Sequence, residues 1–208
     1  MADDTSDLPP LPISLALAGY STVGKDTLTH ELAKRFSFQH ISAGDVFKQE
    51  VMRRYALGPE YVYGNGMERD TPLPALPQVN GRHMTPREVE LDLQDTMPRN
   101  TLAIRNRNEL EDLFDARQPF VFNGYRFIEQ DKALRGLQAK YKRFKLCLLR
   151  VRIISPQVPV PVPYSRYDTL LDKTTFDAML WNDKTKPPTT MLEQLNIIVT
   201  QITKAPLF

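Results

Sequence analysis

Residues 13–36, ISLALAGYSTVGKDTLTHELAKRF, constrain this chain more than any other stretch. An apolar run closes on Gly19, four residues intervene before Gly24-Lys25, and Leu28, Leu32 and Phe36 then recur at a spacing of four. A short apolar run bounded by glycine suits a buried strand, and the four-residue recurrence marks one stripe of an amphipathic helix. The turn between them fits G-x-x-x-x-G-K. That spacing lets successive backbone N–H groups face inward on phosphate oxygens, while the helix behind adds its positive end and the lysine reaches the β- and γ-phosphates. The predicted nucleotide-binding residues are Gly19, Tyr20, Ser21, Thr22, Val23, Gly24, Lys25, Asp26 and Thr27. A glycine-rich structural turn is the competing reading, and the strand before and helix after argue against it.

Asp26 stands where a serine or threonine ordinarily follows the lysine and ligates Mg²⁺ through its hydroxyl. Thr27, one residue on, still offers a hydroxyl. Four roles for Asp26 stay open: direct ligand, holder of one of the ion's waters, orienter of an acceptor, or cap of the first helical turn. ATP and Mg²⁺ are the expected cofactors, with Asp26 and Thr27 as the metal-binding candidates.

Along the rest of the chain, apolar runs at 38–41, 119–124, 144–154 and 176–181 read as strands. Helical patterns fall between them, over 44–57, 108–118, 127–141 and 189–202. Thr85, Pro86 and Glu88 form a helix-start signature. Strands alternating with helices predict an α/β fold, a parallel sheet flanked by helices on both faces. Ligands in such sheets bind at the carboxyl ends of the strands, where Gly19 and Gly124 fall. Residues 58–83, rich in Gly, Pro, Tyr and Asn, are expected to be a long functional loop. The expected organisation is a disordered tail over 1–12 and one domain over 13–208. Within it, 58–118 is an expected acceptor-binding insertion and the proline-rich stretch 155–168 a lid-like arm.

Charge and composition exclude little. With 27 basic and 25 acidic residues, the net charge of +2 neither requires nor forbids a nucleic-acid partner. No apolar stretch approaches a membrane span and no secretory leader is visible, so a soluble, cytoplasmic protein without a membrane partner is expected. A homodimer is left open. The lone Cys147 reads as a buried apolar residue, and the scattered His30, His40 and His83 show no zinc-ligand spacing.

The loop with Gly-Lys-Asp-Thr resembles that of phage deoxynucleoside monophosphate kinases and, more broadly, the P-loop nucleoside monophosphate kinase group. Shorter stretches are similar too: RFSFQHISAGDVFKQEV, MTPREVELDLQ, VFNGYRFIEQDKAL and FDAMLWNDKTKPPTTMLEQL. The resemblance implies transfer of the γ-phosphate of ATP to the 5′-phosphate of a deoxynucleotide. It also implies that Asp45, at the start of the second helix, contacts the acceptor. One departure matters: Asn123 stands where the group carries aspartate, so either Asp26 or Asp45 supplies the missing charge or the acceptor chemistry differs.

Phosphoryl transfer needs positive charge beyond Lys25. Arg126 has the strongest case, because it follows directly on the third strand. Arg150, Arg152 and the arm's Arg166 are further catalytic candidates, and Arg87 is a candidate for binding the acceptor phosphate. Tyr55, Tyr61 and Tyr63 would stack on a base or simply pack the loop. If the acceptor were a hydroxyl, Asp45 would serve as general base. That alternative resembles phage kinases acting on 5-hydroxymethyluracil in DNA, and Asn123 and the basic run 140–145 lean that way. A nucleotide-dependent binding module ranks last, since no water-orienting residue is identifiable.

Overall fold

The computed structural model describes residues 13–20, 22–63, 67–142, 147–158 and 171–204. They fall into two compact units: Gly44–Arg105, and the remainder on either side of it in sequence.

The larger unit is built on β1 (Ile13–Ala18), buried at every position. A strand with both faces covered has no solvent side to alternate with, which is why its sequence is almost continuously apolar. Parallel neighbours flank it, β5 (Phe120–Asn123) and β6 (Cys147–Ile154), with Leu15 opposite both Val121 and Leu149. Adding β2 (Gln39–Ser42) and β7 (Ala178–Trp181) gives a five-stranded parallel sheet of order β2-β5-β1-β6-β7.

The period-two alternation of strand side chains divides the core in two. Ile13, Leu15, Leu17, Val151 and Ile153 pack with Leu28 and Leu32 of α1 (Lys25–Phe36) and with Met191, Leu195 and Val199 of α7 (Thr189–Lys204). Ala16, Ala18, Phe120 and Phe122 face the other way. They meet Leu110 and Phe114 of α5 (Arg99–Asp115) and Leu134 and Leu137 of α6 (Ile128–Lys142). The expected strands and helices have counterparts here, most with ends moved by a few residues, while the helix expected over 108–118 starts nine residues earlier, at Arg99. Among the described residues no helix is long and apolar enough to cross a membrane.

The smaller unit holds α2 (Asp45–Tyr55), α3 (Pro59–Tyr63) and α4 (Pro86–Thr96). It also holds a two-stranded hairpin of β3 (Gln78–Val79) and β4 (Arg82–His83). The long loop expected over 58–83 is therefore corrected: it contains a short helix and a hairpin. The hairpin turns on Asn80-Gly81, both at positive φ (52° and 79°), the dipeptide that favours a tight turn matching strand twist. Thr85 and Glu88 form a reciprocal capping box at the start of α4, as their spacing predicts. Glu50 of α2 is buried and gathers Arg53, Arg54 and Arg105 around its carboxylate.

Candidate phosphate-binding site

The turn after β1 is held by close packing at both glycines. Gly19 has φ 146°, and a Cβ there would lie 2.5 Å from the main-chain oxygen of Ile153 in β6, an interior strand with no room to yield. Gly24, φ 100°, precedes α1, and a Cβ on it would stand 2.3 Å from Nδ2 of Asn182. That amide donates to the carbonyl of Val23 at 2.8 Å, while Val23 itself is buried in the sheet's core. Asn182 is thus a strut between the exit of β7 and the turn.

Lys25 is the first residue of α1 and is buried, with its Nζ donating to the carbonyls of Gly19 (2.9 Å) and Tyr20 (2.7 Å). The ammonium therefore sits within the turn. No side chain caps α1, whose first intrahelical bond runs from Leu28 N–H to Gly24 at 3.1 Å. A helix start of this kind concentrates first-turn N–H groups and positive potential, the combination that attracts phosphate.

Asp26 and Thr27 are exposed on that first turn. Asn123, at the end of β5 and only 5% exposed, donates from Nδ2 to Asp26 Oδ1 at 2.5 Å. Its Oδ1 is buried and has no hydrogen-bond partner among the described residues.

Beside Gly19 a small cleft opens at the carboxyl ends of the strands, lined by Arg126, Arg152, Tyr125 and Phe176 among others. Arg126 is fixed through its backbone. The main-chain N–H groups of Arg126 and Phe127 both donate to Oε1 of buried Gln130, whose amide donates to Asn106 at 2.7 Å. Arg152 is ion-paired with Asp172 and lies over the rings of Tyr20 (5.5 Å) and Phe176 (5.7 Å). Asp172 also accepts from the Tyr20 hydroxyl at 3.0 Å. Burial and the Asp172 carboxylate both raise the Tyr20 phenol above its ordinary pKa. Tyr125 is raised further by burial.

The structure brings Gly19, Lys25, Asp26, Arg126 and Arg152 into one unit, around one turn and its adjoining cleft. Arg150 does not join them, which corrects its candidacy as a catalytic arginine. Its side chain is 3% exposed and binds Asp131 (2.7 Å), Asp177 (3.1 Å) and Gln138 (3.1 Å), tying β6 to α6. Asp45 and Arg87 belong to the other unit, where Asp45 pairs with Lys48 at 3.1 Å and Arg87 with Asp70 at 3.5 Å. There Tyr63 lies under the Lys48 ammonium, 4.6 Å from it. Ser21, Arg166 and residues 143–145 of the basic run lie outside the described residues. Asn182, Gln130 and Asp172 were not singled out by sequence reasoning. For Asn182 the only signal is the Asn-Asp pair just after the last apolar run.

The chain is similar to adenylate kinases. It is 27% identical to those of several Staphylococcus aureus strains over 132 residues, 63% of this chain and 49% of theirs. It thus spans about half the length of the curated relatives it matches. No protein-family model matches it. Solved structures that superpose on it include the APS kinase CysC of Mycobacterium tuberculosis, with TM-score 0.48, 11% identity, and 92% of this chain and 99% of that one covered. Dephospho-CoA kinase from Campylobacter jejuni gives TM-score 0.47 and 13% identity, covering 93% and 98%.

Proposed function

We propose that this protein is an ATP-dependent phosphotransferase that moves the γ-phosphate onto the 5′-phosphate of a deoxynucleoside monophosphate. The observation that carries the reading is the convergence of the Lys25 ammonium and the uncapped start of α1 on a glycine-clamped turn beside the cleft that holds Arg126 and Arg152. The sequence similarity to adenylate kinases supports the same class of reaction.

In this reading an acceptor phosphate oxygen, already ionised, attacks the γ-phosphorus as the bond to the β–γ bridging oxygen breaks, and ADP leaves with the electron pair. Lys25 and the first-turn amides of α1 hold the β- and γ-phosphates. Arg126 and Arg152 offset negative charge on the acceptor and on the phosphoryl group in transit. Such catalysis is mainly positioning and electrostatics. The Asp26 carboxylate and Thr27 hydroxyl are hard oxygen donors that suit Mg²⁺, and the unpartnered Asn123 Oδ1 beside them is a polar group that fits a hydrated ion. When bound, Mg²⁺ neutralises phosphate charge. Asp45 and Arg87 are proposed acceptor contacts, and Arg166 a proposed lid arginine.

The phosphate acceptor is favoured over a hydroxyl in DNA for two reasons. Lys140, the described start of the basic run, is engaged by Glu111 at 2.5 Å, and Asp45, the would-be base, is paired with Lys48. The test is labelled phosphate transfer from ATP to the four dNMPs, to 5-hydroxymethyl-dUMP and to DNA carrying the modified base. A labelled deoxynucleoside diphosphate that disappears with Lys25→Ala, while the fold persists, supports the reading. Label in DNA alone replaces the acceptor. Undiminished transfer by Lys25→Ala removes the turn from the chemistry.

A further inference from the structure

Asp26 and Asn123 are 97 residues apart in sequence yet meet at 2.5 Å, one on the first turn of α1 and the other at the end of β5. The hydrogen bond has a direction. A carboxylate accepts, so the amide presents Nδ2 to Asp26, and the neighbouring Asn123 carbonyl oxygen gains nothing from that bond. That oxygen is buried without a partner among the described residues, an arrangement that costs stability unless a donor arrives. A carboxylate at position 123 would instead face Asp26 across the same gap, and two like charges so close cannot both stay ionised without a cation. The pair therefore carries one negative charge, placed on the helix and steadied by the strand.

Resting on the reading of the turn as a Mg²⁺–triphosphate site, we infer that Asn123 is a positioning residue. It aims Asp26 as the single carboxylate at that site, and its unpartnered carbonyl oxygen is a neutral acceptor for the hydrated ion. This accounts for Asp26 after Lys25 and Asn123 at the strand end together: the charge sits on the helix, and the strand supplies the amide that orients it.

The inference separates from a purely structural bond between helix and strand. An amide at position 26 would still hydrogen-bond to Asn123, so a structural role predicts that Asp26→Asn changes nothing that involves metal. The experiment measures Mn²⁺ affinity by electron paramagnetic resonance on the full chain saturated with a non-hydrolysable ATP analogue, alongside melting temperature with and without Mn²⁺. Asp26→Asn is expected to weaken Mn²⁺ by about 10–100-fold with little change in the metal-free melting temperature. Asn123→Asp is expected to melt lower without metal and to recover when Mn²⁺ is added. The exchanged double variant, D26N/N123D, is expected to return Mn²⁺ affinity toward the wild-type value. Unaltered Mn²⁺ affinity in Asp26→Asn, or no recovery in the double variant, overturns the inference. Binding of the analogue to wild-type protein in EDTA is measured separately: if it is absent, the reading of the turn itself fails and the inference falls with it.

Discussion

Replacing Gly24 with alanine would put a methyl carbon 2.3 Å from Nδ2 of Asn182 and force an L-residue to φ 100°. Left-handed backbone costs a non-glycine residue roughly 1–2 kcal/mol. The Asn182 amide must also rotate away, which breaks its 2.8 Å bond to the Val23 carbonyl and leaves that oxygen without its donor. An acceptor stranded in this way costs about 1–3 kcal/mol, so Gly24→Ala should destabilise the protein by about 2–5 kcal/mol. Asn182→Ala alone should cost only the bond. In the double variant the bond is lost once, not twice. The thermodynamic cycle should therefore depart from additivity by about 1–3 kcal/mol, the energy of the strut. Urea unfolding of the four proteins gives the energies, and an unchanged denaturant slope confirms that the folded and unfolded states remain comparable. Additive losses, or a Gly24→Ala cost below about 0.5 kcal/mol, would refute the claim that Asn182 clamps the turn.

Arg126→Ala should cut turnover by about 100-fold or more with little change in melting temperature, measured by steady-state kinetics and calorimetry; an unaltered rate removes it from the site. Arg150→Met should do the reverse. Stranding Asp131, which is 4% exposed and otherwise ion-paired with the solvent-facing Arg135, should cost about 3–5 kcal/mol while activity per folded molecule is kept. Glu50 is held at about 2, well below its ordinary 4.5, by hydrogen bonds from Arg53 and Arg54. A carboxyl depressed in the folded state contributes stability that is fully present above its unfolded pKa and is lost as pH falls through the folded one. Denaturation midpoints of wild type should therefore fall more steeply than those of Glu50→Gln between about 4.5 and about 2, and parallel curves would contradict this.

The turn between β1 and α1 was legible because its determinants are local: an apolar strand, glycines at fixed spacing, and a lysine opening an amphipathic helix. The sheet was legible for a related reason. Doubly covered strands leave apolar runs that a single sequence displays, and the helices between them dictate parallel pairing. The hairpin at 78–83 escaped notice because strands of two residues have no period to read, although Asn80-Gly81 carried its turn signal. Arg150 was misplaced because the carboxylates that bury it, Asp131 and Asp177, lie 19 and 27 residues away. The Tyr20–Asp172 bond joins positions 152 residues apart, and nothing in either local sequence announces it. Asn123 was recognised as a departure, but the group that answers its amide could be chosen between Asp26 and Asp45 only from coordinates.

The central claim is that the turn from Gly19 to Thr27 holds the terminal phosphates of a nucleoside triphosphate. A crystal structure of the full chain with a non-hydrolysable ATP analogue and Mg²⁺ tests it directly. The account predicts the β- and γ-phosphates against the first-turn amides of α1, with Lys25 Nζ drawn from the carbonyls of Gly19 and Tyr20 onto phosphate oxygens. A triphosphate bound elsewhere, with Lys25 still on those two carbonyls at saturating ligand, would contradict it.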